Sequence, residues 1–468
     1  MNAIGGATKA QLFSEMHAKG SVLNGWSVVL NLNHGYLAQR LHRQWPADAA
    51  GTRTVTLFSA QPAAPRGSGA APARQLSTMA FVLGEPQVSL LTDRPALALS
   101  HPVCQVSGRS GQAATVPTRA DDPSVTWDTD QAVNVPVQPA ARVDAEVPLL
   151  VRQKAGTQAG DAPCFEVVMD VAGASVAAHH LPAAAGDGAD LIGQFRQALG
   201  GTDGKLVVVS LDAATQANFP SLQPRAVALL TANTPSGHQI LQVHIATGDA
   251  ATPAATGIDV GDPVPVLDGA DWSLMFSGQN VYQDIVVPDF NGRSGHISLA
   301  AVAPQGAGQA WYLQTQNRMQ FQGTVSWGDA MPPVTQQAQI GLNFSGSPDQ
   351  GLVVSTYNLP GADINLQFGI AQNYPVQCSG ALGDQALSFA GSTATINGSG
   401  IAENTFKPYL QQILSTEIRT DLDAVSLAPL AAFALRTVRF PGDEAFIDGV
   451  QIPSDLVMVG ILDPTSVA

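Results

Sequence analysis

The stretch GWSVVLNLNHGYL, residues 25–37, decides the fold because it joins a strand directly to a helix. Gly25 is a turn-former, and Trp26 opens the apolar strand that follows it. Asn33 can then cap a helix whose apolar residues recur at every fourth position until Pro46 stops the pattern. Those residues are Leu37, Leu41 and Trp45.

Strand signals dominate the rest of the chain. Gly (45 residues) and Pro (32 residues) are above average use and fall between short apolar stretches, which is typical of a β-dominated chain. Residues 238–245 alternate between apolar and polar, while residues 205–210 and 455–460 are continuously apolar, as in strands covered on both faces. Residues 351–357 and 363–370 predict a hairpin with a Pro-Gly turn between them.

Helical signals are few and short. Further helices are predicted at about residues 404–418 and 424–438, and Asp190 can cap another that ends at Gly200. Pro408 is tolerable only near the first turn of its helix. Because no composition shift marks a clear domain boundary, we predict one elongated body, residues 1–468, divisible into lobes of about 1–250 and 251–468.

Composition and charge exclude several classes of function. The 468 residues hold 22 Lys+Arg against 37 Asp+Glu, a net charge of −15, and no basic cluster suited to phosphate groups. No run of 18 apolar residues occurs, and no charged segment followed by an apolar one opens the chain. We therefore expect no nucleic-acid partner and no transmembrane segment. The expected location is the cytoplasm, or outside the cell by export without a standard signal peptide.

No catalytic or metal-binding motif stands out. A nucleophile elbow, a phosphate loop and the common metal motifs are absent, and Cys104, Cys164 and Cys378 lack disulfide or zinc spacing. One alternative is a β-sandwich carbohydrate-binding or adhesin module with an aromatic platform. Its candidate residues are Trp311, Tyr312 and Trp327. A second alternative is a hydrolase whose catalytic groups lie far apart in sequence.

Three segments resemble one known family. Residues 25–37 look like the opening of the clostridial P-47 and OrfX-type proteins, in which a Gly-Trp-Asp strand runs directly into a helix, with Ser27 here in place of the acid. Residues 446–460, FIDGVQIPSDLVMVG, are similar to the final hairpin of that family, with its Pro-x-Asp-Leu step. Residues 271–274 and 285–288 are similar to its middle section. The resemblance therefore covers nearly the whole chain.

The resemblance implies a β-dominated α+β protein of the TULIP type, in which a strongly curved antiparallel sheet wraps around a long helix. Many TULIP proteins hold lipid in the resulting tube, and the P-47 group is encoded beside bacterial toxin genes. We therefore expect a non-enzymatic bacterial protein with a lipid or other apolar ligand, or a partner in a toxin complex. No catalytic residue, metal or cofactor is expected. The residues predicted to face the tube are Leu30, Leu32, Tyr36, Leu37 and Leu41.

Overall fold

The structure is a computed structural model. It describes residues 8–44, 52–62, 74–113, 127–134, 136–154, 164–180, 204–212, 219–233, 239–248, 252–253, 269–295, 297–306, 308–317, 319–358, 364, 366–381 and 384–464. Strands dominate, the sheets are mainly antiparallel, and one sheet is strongly curled into a half-barrel. The predicted β-dominated α+β class is confirmed.

The chain divides into two compact units. The first unit comprises Met1–Asn33, Gln153–Glu166 and Val209–Ala468, and the second comprises His34–Arg152 and Val167–Val208. The predicted single body with lobes at about 1–250 and 251–468 stays a prediction.

A six-stranded antiparallel sheet in the first unit places the predicted opening strand, Val28–Asn33, between two neighbouring strands. In spatial order its strands are β11 (Pro224–Asn233), β12 (Gln239–Thr247), β1 (Val28–Asn33), β13 (Trp272–Phe276), β26 (Leu456–Pro464) and β25 (Asp443–Gln451). Asn31 of β1 donates from Nδ2 to Ser273 Oγ of β13 at 3.1 Å, and Gln242 of β12 donates to Asn31 Oδ1 at 3.0 Å. A buried polar chain therefore crosses three adjacent strands.

The helix α1 (Lys9–Lys19) covers one face of this sheet. Its buried Leu12 and Met16 belong to the same apolar cluster as Val29 of β1. A capping box starts the helix, because Thr8 Oγ1 accepts from the Gln11 N–H while the Gln11 side chain accepts from the Thr8 N–H. The helix therefore has both a defined start and an apolar face.

A second six-stranded sheet in the first unit packs against a long helix, α4. In spatial order the sheet contains β14 (Leu299–Val302), β15 (Tyr312–Thr315), β17 (Val334–Ser347), β18 (Gly351–Asn358) and β20 (Asn373–Tyr374), with β16 (Met319–Val325) paired to β17. The helix runs as Ile401–Gln412, a π-helical stretch Ile413–Ile418 and Arg419–Asp423. Phe321 of β16 lies 6.4 Å from Phe406 and 6.3 Å from Tyr409, ring centre to ring centre.

Shorter elements complete the first unit. The helix α3 follows β13 and runs as a π-helical stretch Gln279–Val286 and then Val287–Arg293, while α5 runs as Ala428–Ala432 and then Phe433–Thr437. A 3-10 turn occupies Pro220–Leu222. The remaining strands pair as β19 (Gly369–Ala371) with β23 (Thr395–Asn397), and β21 (Val376–Ser379) with β22 (Ala386–Phe389).

Most of a ten-stranded sheet lies in the second unit. Its main path is β2 (Arg53–Pro62), β3 (Arg74–Leu83), β5 (Ala96–Ala113), β7 (Arg142–Lys154), β8 (Cys164–Asp170) and β10 (Lys205–Leu211). β4 (Gln87–Leu90) and β6 (Trp127–Asn134) pair with β5, and β9 (Ser175–His179) pairs with β7. Within the first unit, the last residues of β10 pair with β24 (Val438–Arg439).

Most predicted elements are confirmed. The helix α2 (His34–Gln44) follows β1 directly, and Tyr36 Oη donates to the Val208 carbonyl of β10 at 3.3 Å. The hairpin predicted at residues 351–370 is wrong, because β18 pairs with β17 and β20 while β19 pairs with β23. The helix predicted from Asp190 lies outside the described residues. No helix in the described part of the chain is long and apolar enough to cross a membrane.

Candidate functional site

A pocket of about 560 Å³ lies in the first unit, beside the end of the six-stranded sheet where β1 begins and β12 and β13 end. Its wall is formed by the loop before β1, the 3-10 turn, the end of β12, the start of α3 and Trp311. These segments are distant in sequence, and the antiparallel pairing of β1 with its two neighbours brings them together. The volume falls within the usual range for small-molecule sites.

Asn280 organises the polar side of the pocket. Its Oδ1 accepts from Ser277 Oγ at 2.8 Å. Its Nδ2 lies 3.4 Å from the Ser221 carbonyl, 3.5 Å from Thr247 Oγ1 and 3.3 Å from Asp284 Oδ2. A buried amide held by four partners keeps a fixed orientation, so this side of the pocket is preorganised.

Two opposite charges line the same pocket. Arg225 is exposed at the start of β11, and Asp284 is half-buried on α3. Burial raises the pKa of the Asp284 carboxyl, and the hydrogen bond from Asn280 opposes that effect. The pocket wall therefore contains one cation and one carboxylate.

Two tryptophans also line the pocket. Trp26 is 1% exposed, and Trp311 is half-buried with its indole packed directly on Gly278 at the start of α3. A Cβ atom at Gly278 would overlap the Trp311 ring, so only glycine lets the ring lie there. Trp311 therefore forms part of a concave wall rather than the flat platform expected of a carbohydrate-binding module.

Asp455 supports the pocket from behind. Its carboxylate accepts from the Val22 N–H at 2.8 Å, from the Gly278 N–H at 2.9 Å and from Ser21 Oγ at 3.1 Å. Complete burial raises the pKa of Asp455 to about 6, against the lowering effect of these hydrogen bonds. Burial and the nearby Asp455 charge also raise the pKa of Tyr282, whose hydroxyl has no hydrogen-bond partner among the described residues. One carboxylate thus ties the loop before β1 to the start of α3.

The reactive side chains of the pocket wall are hydroxyls and one carboxylate. No histidine or cysteine lines the pocket, and its Ser277 hydroxyl is already engaged with Asn280. The Ser21 hydroxyl, also in the wall, donates to the Asp455 carboxylate at 3.1 Å. Within the described residues, no group of three or more His, Cys, Asp or Glu is placed to hold a metal ion.

The five residues predicted to face a ligand are all buried. Leu30 and Leu32 are 0% exposed on β1, where Leu30 lies opposite Val243 and Leu274 in the register. On α2, Tyr36 is 2%, Leu37 0% and Leu41 4% exposed. None of the five lines the pocket, and their contact with a ligand stays a prediction.

Comparison with solved structures identifies the fold. P47 of Clostridium botulinum E1 matches with a TM-score of 0.52 at 7% identity, covering 95% of this chain and 100% of P47. P47 of Clostridium botulinum A2 gives the same TM-score of 0.52 and coverages at 9% identity. The chain has the fold of P47. The TULIP-like architecture is thereby confirmed, and the β-sandwich alternative is wrong about the fold.

Other comparisons add nothing to that conclusion. A lipopolysaccharide-binding protein covers 94% of the chain at 11% identity, but a TM-score of 0.31 is too low to indicate a shared fold. No protein-family model and no curated protein sequence matches the chain. The likeness to P47 is one of fold alone, so a toxin-complex partner stays a prediction.

Sequence reasoning missed the polar residues of the pocket and named one residue of its wall, Trp311, only for a flat aromatic platform. Asn280, Asp284 and Asp455 carry its geometry, yet they form no contiguous motif. The one local signal is the i, i+4 spacing of Asn280 and Asp284 on a helix, which places their side chains together.

Proposed function

We propose that this protein is a non-enzymatic binding protein of the TULIP type, and that its ligand is a lipid or a similar molecule with an apolar part and a polar head. One observation carries the proposal: the pocket combines a fixed polar network with two tryptophans. Pockets that bind amphipathic molecules combine an apolar wall with a few placed polar groups. The P47-like fold supports the same conclusion.

The charges of the pocket favour a zwitterionic head group. Arg225 can pair with a phosphate, and Asp284 can pair with an ammonium group. Trp311 adds an aromatic face of the kind that attracts quaternary ammonium ions. Phosphatidylcholine carries both charges and is therefore the probe of choice.

The direct test is native mass spectrometry and lipid extraction of the purified full chain, followed by titration with fluorescent phosphatidylcholine. Gln279→Trp places a large ring at the exposed rim of the pocket, and we expect at least about tenfold weaker binding. Gln283→Trp is the matched control, because Gln283 is also exposed on α3 but does not line the pocket. Absence of bound lipid, or equal binding by the two variants, contradicts the proposal.

The five buried residues are our proposal for contacts with the apolar part of the ligand. A phosphatidylcholine with a photoreactive group on its acyl chain tests this without altering the protein. We expect cross-links within residues 28–41, mapped by mass spectrometry of peptides. Cross-links confined to other peptides contradict the assignment of Leu30, Leu32, Tyr36, Leu37 and Leu41.

The non-enzymatic part of the proposal has its own test. Incubation of the full chain with a panel of ester and glycoside substrates is expected to give no turnover. Turnover that survives further purification and is lost in one pocket variant contradicts this part and favours the hydrolase alternative.

A further inference from the structure

An exposed loop in the first unit has an unusual composition. Residues 326–333 join β16 to β17, and with Val334 and Thr335, the first residues of β17, they form the stretch SWGDAMPPVT; all ten are exposed, and we call them the apolar tip. Trp327 is 45%, Met331 62% and Val334 42% exposed. Single exposed apolar residues are common on protein surfaces, but three large ones within eight positions mark an interaction site.

A neighbouring helix, α4, packs on the strand that leads to the apolar tip. Phe321 of β16 packs on Phe406 and Tyr409 of α4, while Gly323, further along the strand, lies against Thr405. The strand therefore advances toward the first residues of α4 as it approaches the apolar tip. The first of these is Ile401, which is 48% exposed.

The backbone of the apolar tip favours a lipid interface over a protein partner. Pro332 and Pro333 have no N–H, and the Met331 N–H donates to the Gly328 carbonyl at 3.4 Å. Three consecutive residues therefore present no free backbone donor. Lipid cannot satisfy backbone donors in its apolar region, whereas a protein partner can, so the loss of donors favours lipid as the occupant.

The charge of the apolar tip selects the type of lipid. Asp329 is its only charged residue, and the chain as a whole has a net charge of −15. Anionic lipid would repel both, whereas a phosphatidylcholine surface is neutral and presents a choline cation that complements Asp329. Trp327 suits that position because tryptophan is enriched at the membrane–water interface.

We propose that the apolar tip is a membrane-contact site that inserts Trp327, Met331 and Val334 into the interface of zwitterionic bilayers. The site does not rest on the proposed function, because it lies outside the pocket and acts on a bilayer rather than on one bound molecule. It gives the protein a weak, reversible contact with lipid surfaces.

The test uses the full chain and phosphatidylcholine vesicles. We expect co-sedimentation with the vesicles and quenching of tryptophan fluorescence by lipids brominated on their acyl chains. Trp327→Ser is expected to lower the vesicle partition coefficient by about tenfold, because the variant loses the favourable transfer of a large, half-exposed side chain from water to lipid. Trp327→Phe is expected to retain binding and to lose the quenching, which identifies Trp327 as the inserted ring.

Matched variants distinguish binding through this site from nonspecific adsorption to vesicles. Val334→Ser is expected to weaken vesicle binding, whereas Ile461→Ser, at a strand position 39% exposed, is not. Gln279→Trp, which blocks the pocket, is expected to bind vesicles like the wild type. The proposal is overturned if the wild type does not bind, if Trp327→Ser binds equally well, or if phosphatidylserine strengthens binding.

Discussion

Asp455 and His244 are two titratable residues buried in the same unit in opposite ways. Both are 0% exposed. Asp455 receives two backbone N–H donors and a serine hydroxyl, whereas neither ring nitrogen of His244 has a hydrogen-bond partner in the described part of the chain. The His244 ring instead meets Trp26 edge to face, with ring centres 5.2 Å apart. One group acts as a polar connector, and the other serves as an aromatic core residue.

The difference shows how burial sets the sign of a pH effect. Burial favours the neutral form of both groups, so it raises the pKa of Asp455 to about 6 and lowers the pKa of His244 to about 4. On acidification, folded Asp455 takes up its proton before the unfolded group does, whereas folded His244 takes it up later. The first effect stabilises the fold as the pH falls, and the second destabilises it. The two groups oppose each other between about pH 4 and pH 6.

The largest expected effect on stability comes from removing the Asp455 carboxylate. Asp455→Ala leaves the buried N–H groups of Val22 and Gly278 without an acceptor, so we expect the free energy of unfolding at pH 7 to fall by about 3–5 kcal/mol. Urea titration followed by circular dichroism measures the change. Asp455→Asn keeps the size and one acceptor oxygen, and a smaller loss of about 1–3 kcal/mol is expected. A loss below about 1 kcal/mol for Asp455→Ala contradicts the connector role.

The second prediction concerns the pH dependence of stability. His244→Phe keeps an aromatic ring against Trp26 and removes the titrating group. The unfolded histidine has a pKa of 6.5 and the folded one about 4, so only the unfolded state is protonated between these values. Acidification from pH 6.5 to pH 4 therefore costs the wild type about 3 kcal/mol through this residue, and the variant avoids that loss. Urea titrations at several pH values measure the difference.

Asp455→Asn supplies the complementary curve. It removes the group that stabilises the fold on acidification, because folded Asp455 is protonated below about pH 6 and the unfolded group only below 3.8. The variant is expected to lose stability more steeply than the wild type between pH 6 and pH 4. Parallel curves for wild type, His244→Phe and Asp455→Asn would show that neither group titrates as proposed.

Local patterns predicted much of the fold. The alternation in residues 238–245 predicted β12, and the cap at Asn33 predicted α2. Both predictions succeeded because the period of a strand or a helix can be recognised from residues that are close together in sequence. α1 was missed although Thr8 and Gln11 form a capping box and Leu12 and Met16 share a face. The capping box and the shared apolar face, taken together, predict α1.

Long-range pairing was harder to predict. The expected partner of β18 was its neighbour in sequence, but β20 takes that edge instead. The prediction that Pro408 lies near the first turn of its helix was also wrong. α4 begins at Ile401, so Pro408 lies in the helix interior, where packing of Phe406 and Leu410 stabilises the helix. The pocket depends on such long-range contacts, which explains why its polar residues were not predicted and why Trp311 was named only for an aromatic platform.

The third prediction concerns the space beside Asp455. Gly278 donates its N–H to Asp455 while the Trp311 indole lies where a Cβ would be. Gly278→Ala therefore forces Trp311 or the start of α3 to move, and we expect a loss of about 1–3 kcal/mol in the free energy of unfolding. Gly292→Ala is the matched control on the same helix, because a Cβ there meets nothing within 4 Å. Equal stability of the two variants would show that the contact with Trp311 is loose.

The smallest effect is expected at an exposed aspartate. Asp448 pairs with Lys9 of α1, and the two side chains are 50% and 43% exposed. Water and salt screen such a pair, so Asp448→Ala is expected to lower the free energy of unfolding by less than about 1 kcal/mol, and by still less in high salt. Urea titration at low and high salt measures both values. Asp448 lies on β25, and Asp455 lies in the loop between β25 and β26. A loss at Asp448 as large as that at Asp455 would mean that contact with the N-terminal segment, rather than burial of the carboxylate, determines stability in this hairpin.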